Sequence, residues 1–218
     1  MKKQKKVIAL DLETIADKTM LSILPEVTAK KNLKDLEKIT MDIAEKQKKQ
    51  IADMGLDPMM NLICCAGWCD ENGPGSISIE EDSPAAEKKL LIEFWEVLSN
   101  YDHFVTFNGR SFDLRCLHLH GITHGIRPGV NIDKGRYNHG NHTDLRQILA
   151  GSDQFAKGKL DFFCKKFLGD QKTEGIDGAQ VQSFFDMGLI GDIAKYCEKD
   201  CDLTWRLFLK VDAAGLLE

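Results

Sequence analysis

The sequence has no apolar run near the roughly 18 residues that a membrane-crossing helix needs, so no membrane role is expected of it. Its basic start, Met1-Lys2-Lys3-Gln4-Lys5-Lys6, is like the first part of a secretory signal. The apolar run behind it stops at Asp11, which argues against one. Cysteine in paired C-x-x-C spacing is missing as well. The seven cysteines are odd in number and sit mostly among apolar residues, which predicts reduced thiols in a cytoplasmic protein. Cys197 and Cys201 are four apart, and Cys116, His118, His120 and His124 are close together. Neither group has structural-zinc spacing, so buried thiols and surface imidazoles are expected. An excess of positive charge is lacking too. The net charge is −5, whereas a nucleic-acid binder with no enzymatic task is usually basic. An acidic total still permits nucleic acid where cations neutralise a carboxylate cluster. No repeat, low-complexity tract or linker divides the 218 residues, and one domain over 1–218 is expected.

What is present begins with Val7–Thr14, V-I-A-L-D-L-E-T. The unbroken apolar run Val7–Leu10 suits a strand buried on both faces, although it is too short to exclude a helix by periodicity. Asp11 and Glu13, two apart, would point to the same face of that strand. Two carboxylates side by side repel each other unless a cation joins them, and oxygen pairs suit hard cations such as Mg²⁺. A strand that ends in solvent would carry the same residues, so this stretch alone leaves both readings open.

The rest of the chain reads as alternating strands and helices. A charged helical insertion is expected over 25–53, where seven lysines are largely offset by Asp35, Glu37, Asp42 and Glu45. Asn61–Asp70 and Ser76–Glu80 read as a hairpin around the turn formers Asp70–Gly75. Asp82 or Ser83 caps a helix over Pro84–Ser99, and His103–Phe107 is a fourth strand. That strand leads through Asn108-Gly109-Arg110-Ser111 into a helix carrying Phe112 and Asp113. The segment 121–141 is expected to be a loop, followed by a short helix over Asp144–Leu149. Leu160–Leu168 is an amphipathic helix ended by Gly169, and the last helix spans about 191–211. On that helix Tyr196 and Asp200 are four apart and share a face. Taken singly, Asp113 reads as a helix-start carboxylate and Tyr196 as a half-buried aromatic.

The order of these pieces is more informative than any one of them. Asp11-Leu12-Glu13-Thr14, Asn108-Gly109-Arg110-Ser111-Phe112-Asp113 and Tyr196-Cys197-Glu198-Lys199-Asp200 together resemble the 3′–5′ exonuclease superfamily that has four acidic residues and a tyrosine. The similarity is greatest to the exonuclease domain of family B DNA polymerases and its stand-alone relatives, and it spans almost the whole chain. It is weakest over 25–53 and 121–141. The subtype with a histidine five residues before the last Asp does not fit, because Lys195 stands there. Asp202 rivals Asp200 but would face elsewhere on the helix. No polymerase domain is expected, since the chain ends soon after the third motif.

The resemblance implies an α/β fold of the ribonuclease-H-like type, a mixed five-stranded sheet with helices on both faces. It also implies two divalent cations, Mg²⁺ or Mn²⁺, per site. Asp11, Glu13 and Asp200 would bind the cation that carries the attacking water. Asp11 would bridge to the second cation, which Asp113 supports, and Tyr196 would orient the water. Thr14, Asn108 and Phe112 would contact the terminal nucleotide, Phe112 serving equally as a core anchor. The implied partners are single-stranded DNA or RNA 3′ ends, with a polymerase or another replication or repair protein in trans. An exoribonuclease, or a nucleic-acid-binding module without catalysis, remain the alternatives.

Overall fold

The structure is a computed structural model that describes residues 5–133, 135, 140–150, 158–170 and 176–217. Its centre is β1 (Val7–Ala16), in which Ile8, Ala9 and Leu10 have no exposed surface. The unbroken apolar run has this physical cause: the strand has neighbours on both edges and helices on both faces. The sheet order is β3-β2-β1-β4-β5. β2 (Asn61–Asp70) is antiparallel to β1, with β3 (Gly73–Ser78) beyond it; β4 (His103–Thr106) is parallel to β1, and β5 (His142–Asp144) to β4. The mixed five-stranded α/β sheet is ribonuclease-H-like.

Side-chain alternation along β1 divides two layers. Ile8, Leu10 and Leu12 pack with Leu90, Phe94 and Leu98 of α2 (Pro84–Leu98) and Leu114 and Leu117 of α3 (Asp113–His124). Ala9 and Val105 pack with Leu160 and Cys164 of α5 (Leu160–Leu168) and Leu203 and Leu207 of α7 (Ile190–Ala213). The acids of β1 continue the second set.

Several elements differ from the sequence expectation. The third strand starts at Gly73, not Ser76. Asp70 accepts the Asn72 amide at 2.7 Å, so the turn is only Glu71-Asn72. Gly-Pro-Gly then serves as an edge strand, because a Cβ at Gly75 would lie 2.6 Å from the Trp68 ring that covers it. The insertion is helical only over α1 (Leu36–Gly55), capped by Asp35, and a 3-10 turn spans Lys18–Ile23. Within it Asp42 pairs with Lys46 at 2.8 Å and Lys30 at 3.4 Å.

α3 runs on through Gly121 to His124 and ends at Gly125, whose φ of 65° suits glycine. The expected loop therefore starts four residues later, and β5 precedes α4 (Leu145–Ala150). The short helix α6 (Val181–Asp186) has no counterpart in the sequence reading. α5 has the expected bounds, with Gly169 at φ 66°. Surface imidazoles were expected, yet His120 is only 6% exposed and, with His124, binds the buried Glu87. All seven cysteines are free and buried. No helix among the described residues is long and apolar enough to cross a membrane.

Candidate active site

Asp11 and Glu13 lie opposite Gly67 and Cys65 of β2. A Cβ at Gly67 would meet the Cys197 Sγ at 2.6 Å, so this sheet face is the one α7 covers. Both carboxylates therefore point into the layer between β1 and α7. Glu13 is 7% exposed and Asp11 half-buried. One oxygen of each, and the Cys197 Sγ, lie within 4.8 Å of one another.

Asp113 reaches the same place from across the sheet. Pairing between β1 and β4 stops at Ala9 and Val105, so the Leu12 amide lies beyond the ladder. The Asp113 carboxylate accepts it at 3.0 Å. Leu12 sits between the two acids, so that bond fixes Asp113 beside them. Asp113 is thus more than a helix-start charge: it ties α3 to β1 while 4% exposed. Asp200, 2% exposed, is on the facing helix one turn beyond Tyr196. Tyr196 is 3% exposed, more deeply buried than the half-buried aromatic expected. Asp113 and Asp200 stand outside the compact group of Asp11, Glu13 and Cys197. Asp202 is turned away from it, toward Arg206 at 3.3 Å and Lys199 at 3.7 Å.

The expected substrate contacts are placed unevenly. The Thr14 hydroxyl donates to the Gly55 carbonyl at 2.6 Å and so holds the end of α1. Asn108 has a φ of 69°, and its amide donates to Asp144 at 2.9 Å. A Cβ at Gly109 would lie 2.5 Å from Thr106, so this tight approach needs glycine. Phe112 is partly buried against the main core.

Two residues that sequence reasoning missed shape the site. Asp144, 2% exposed, accepts the amides of Asn108, Arg110 and Arg146 and so fixes the loop that delivers Asp113. No signal in the sequence marked it, because its partners are backbone amides and β5 is too short to alternate. Cys197 was read only as a buried thiol, yet it donates to the Asp11 carbonyl at 3.5 Å. Burial drives the Cys201 thiol up to about 12, with Asp11 and Asp200 adding to the effect. Cys65 is raised first by its bond to Cys197, then by burial and the Asp11 charge. Neutral thiols under a carboxylate group keep the layer from gathering further negative charge.

A cavity of about 1030 Å³ lies at the far ends of β1 and β4, beside Val7, His103 and Phe208, and is lined by none of these acids.

The chain is thus an α/β protein of ribonuclease-H-like fold, with carboxylates on its central strand, on the helix after β4 and on the last helix. Residues 60–215 match the family described as predicted 3′–5′ exonucleases related to the exonuclease domain of PolB, and the chain belongs to that family. Asp11 and Glu13 precede the matched region. The chain is also 25% identical over 135 residues to DNA polymerase 1 of Sulfolobus acidocaldarius, covering 56% of this chain and 15% of that one. Its fold is similar to the family B DNA polymerase of Pyrobaculum calidifontis, with a TM-score of 0.59 and 15% identity over 98% of this chain and 25% of the other.

Proposed function

We propose that this chain hydrolyses phosphodiester bonds at the 3′ end of single-stranded DNA, with divalent cations, releasing 5′-mononucleotides. The observation that carries this reading is the Asp11–Glu13 pair on the central strand, with Asp113 bonded to the amide between them and Asp200 on the helix above. Packing such acids into a partly buried layer is unfavourable without a cation. The donor set, chiefly carboxylate oxygen, suits Mg²⁺ or Mn²⁺. Two cations about 4 Å apart need a wider set of acids than one compact group, which is what Asp113 and Asp200 add.

A bound divalent cation supplies a water of lowered pKa and neutralises charge on the phosphate. The protein does the remainder. Asp11 and Glu13 would hold the cation, with Asp200 closing it from α7. Asp113, anchored on β1, would brace the second position. Tyr196, fixed by burial one turn before Asp200, would orient the attacking water through its hydroxyl. The left-handed turn at Asn108 would set the terminal nucleotide against Phe112. Thr14 would act through the end of α1, since its hydroxyl is already committed. A polymerase or another replication or repair protein in trans is the partner class this reading brings.

The test is degradation of a 5′-labelled single-stranded oligonucleotide. Wild type should ladder it from the 3′ end with Mg²⁺ or Mn²⁺, and a chelator should stop the reaction. Asp11→Ala should abolish laddering while leaving the circular dichroism spectrum unchanged. Undiminished laddering by that variant removes the assignment. Matched DNA and RNA strands in the same assay decide between the two substrates.

A further inference from the structure

We propose that the outer face of α5 is a stacking track for the single strand upstream of its 3′ end. The inference rests on the exonuclease reading and adds a specificity-determining surface to it. The track starts at the site. Phe107 directly follows β4 and directly precedes Asn108. Its ring lies 5.8 Å from Phe163, which in turn lies 5.5 Å from Phe162 and 6.3 Å from Phe167. Phe163 and Phe167 are stacked, with their planes 17° apart. The rings thus lead from the loop that delivers Asp113 out to solvent, where Phe162 is 60% and Phe167 43% exposed. The inner side of α5 is held against α7, with the Cys164 Sγ at 4.0 Å from the Leu203 carbonyl, three residues past Asp200.

Charge selects the occupant. Lys159, Phe162, Phe163, Lys166 and Phe167 recur at three- and four-residue intervals and form one stripe. All three lysines of the helix region, Lys159, Lys165 and Lys166, are exposed. Lys165 is drawn to an acid on its own helix, Asp161 at 3.0 Å. Rings interleaved with ammonium groups match a chain that alternates flat bases and phosphates. A protein helix docking here would instead need an apolar seam without lysines inside it. A duplex keeps its bases stacked on each other, so the strand must be single.

The test uses the full chain and fluorescein-labelled oligothymidylates, a dinucleotide and a dodecanucleotide, with chelator present so that binding is read without turnover. Phe162→Ala/Phe167→Ala should weaken dodecanucleotide binding by roughly fivefold or more, the low end of base–aromatic stacking, and leave dinucleotide binding alone. Phe162→Trp should keep the affinity and show indole fluorescence quenched by the dodecanucleotide. With cation added, the double variant should show raised KM on the long substrate and unchanged kcat. Equal affinity of wild type and double variant for the dodecanucleotide, or an unquenched indole, overturns the track. Loss of affinity together with absent turnover in wild type would remove the exonuclease reading and leave the binding surface in place.

Discussion

Glu87 is a carboxylate with 1% exposure and several donors aimed at it. The Ile63 amide and His120 Nδ1 meet one oxygen at 2.6 and 2.5 Å, and His124 Nε2 meets the other at 2.6 Å. His120 Nε2 donates to the Pro58 carbonyl at 3.1 Å. Burial pushes the Glu87 carboxyl up, but the hydrogen bond and charge of His120, with His124 and Ile63, outweigh it and hold it below 4.5. A lowered carboxylate contributes stability above its unfolded value and loses it as pH falls through the folded one. Chemical denaturation should therefore show Glu87→Gln with a shallower loss of stability below about pH 4.5 than wild type. Glu87→Ala strands the buried histidines and should cost about 3–5 kcal/mol at neutral pH. Tyr196→Phe should slow turnover and leave cation binding intact, read by separate kinetic and calorimetric titrations. The acids of the candidate site could be singled out beforehand because their types and order are visible along the chain. The Glu87 cluster could not, because His120 and His124 read as surface imidazoles until α3 is seen to run past Gly121 and stack them four residues apart. The Asp144 role was hidden for a related reason: it depends on backbone amides, which no side-chain pattern reports.

Among the elements, α7 matters most to the site. It approaches the sheet where Gly67 has no side chain, so that Cys197 and Cys201 fit against the strand. Gly67→Ala would place a methyl 2.6 Å from the Cys197 sulfur and 3.0 Å from that of Cys201. The helix must shift, at about 1–3 kcal/mol. Because Tyr196 and Asp200 ride on the same helix, turnover should fall more than stability accounts for, which paired melts and rate measurements on Gly67→Ala would show. Long helices with clear periods, α2, α5 and α7, were readable from sequence to within a few residues. β5 was not, since three residues carry no alternation and His142-Thr143-Asp144 becomes a strand only by pairing with β4. α6 is equally short. Gly73-Pro74-Gly75 misled because its turn chemistry is overruled by the Trp68 ring.

For the molecule as a whole, the exonuclease reading makes a divalent cation a stabilising ligand of the fold. A ligand that binds only the folded chain stabilises it by about 2.7 kcal/mol at a hundred times its dissociation constant. Mn²⁺ should thus raise the melting temperature of wild type measurably and leave Asp11→Ala unmoved; equal shifts in both would place the cation elsewhere. The two covered faces of the sheet follow from the unbroken apolar run of β1, whereas the path of 17–35 before α1 is set by particular contacts, such as the Lys46 Nζ to the Thr28 carbonyl at 2.8 Å.

The pairing of β1 with β2 carries one irregularity, a shift between Glu13 and Thr14. Upstream of it, moving β1 by a single position would turn Leu10 and Leu12 toward α7 and send both acids into the oily layer beneath α2. Chemistry and architecture are therefore written in the same few letters. Deleting one amino acid between Val7 and Glu13 should therefore yield insoluble material rather than a folded protein that merely lacks its carboxylate pair.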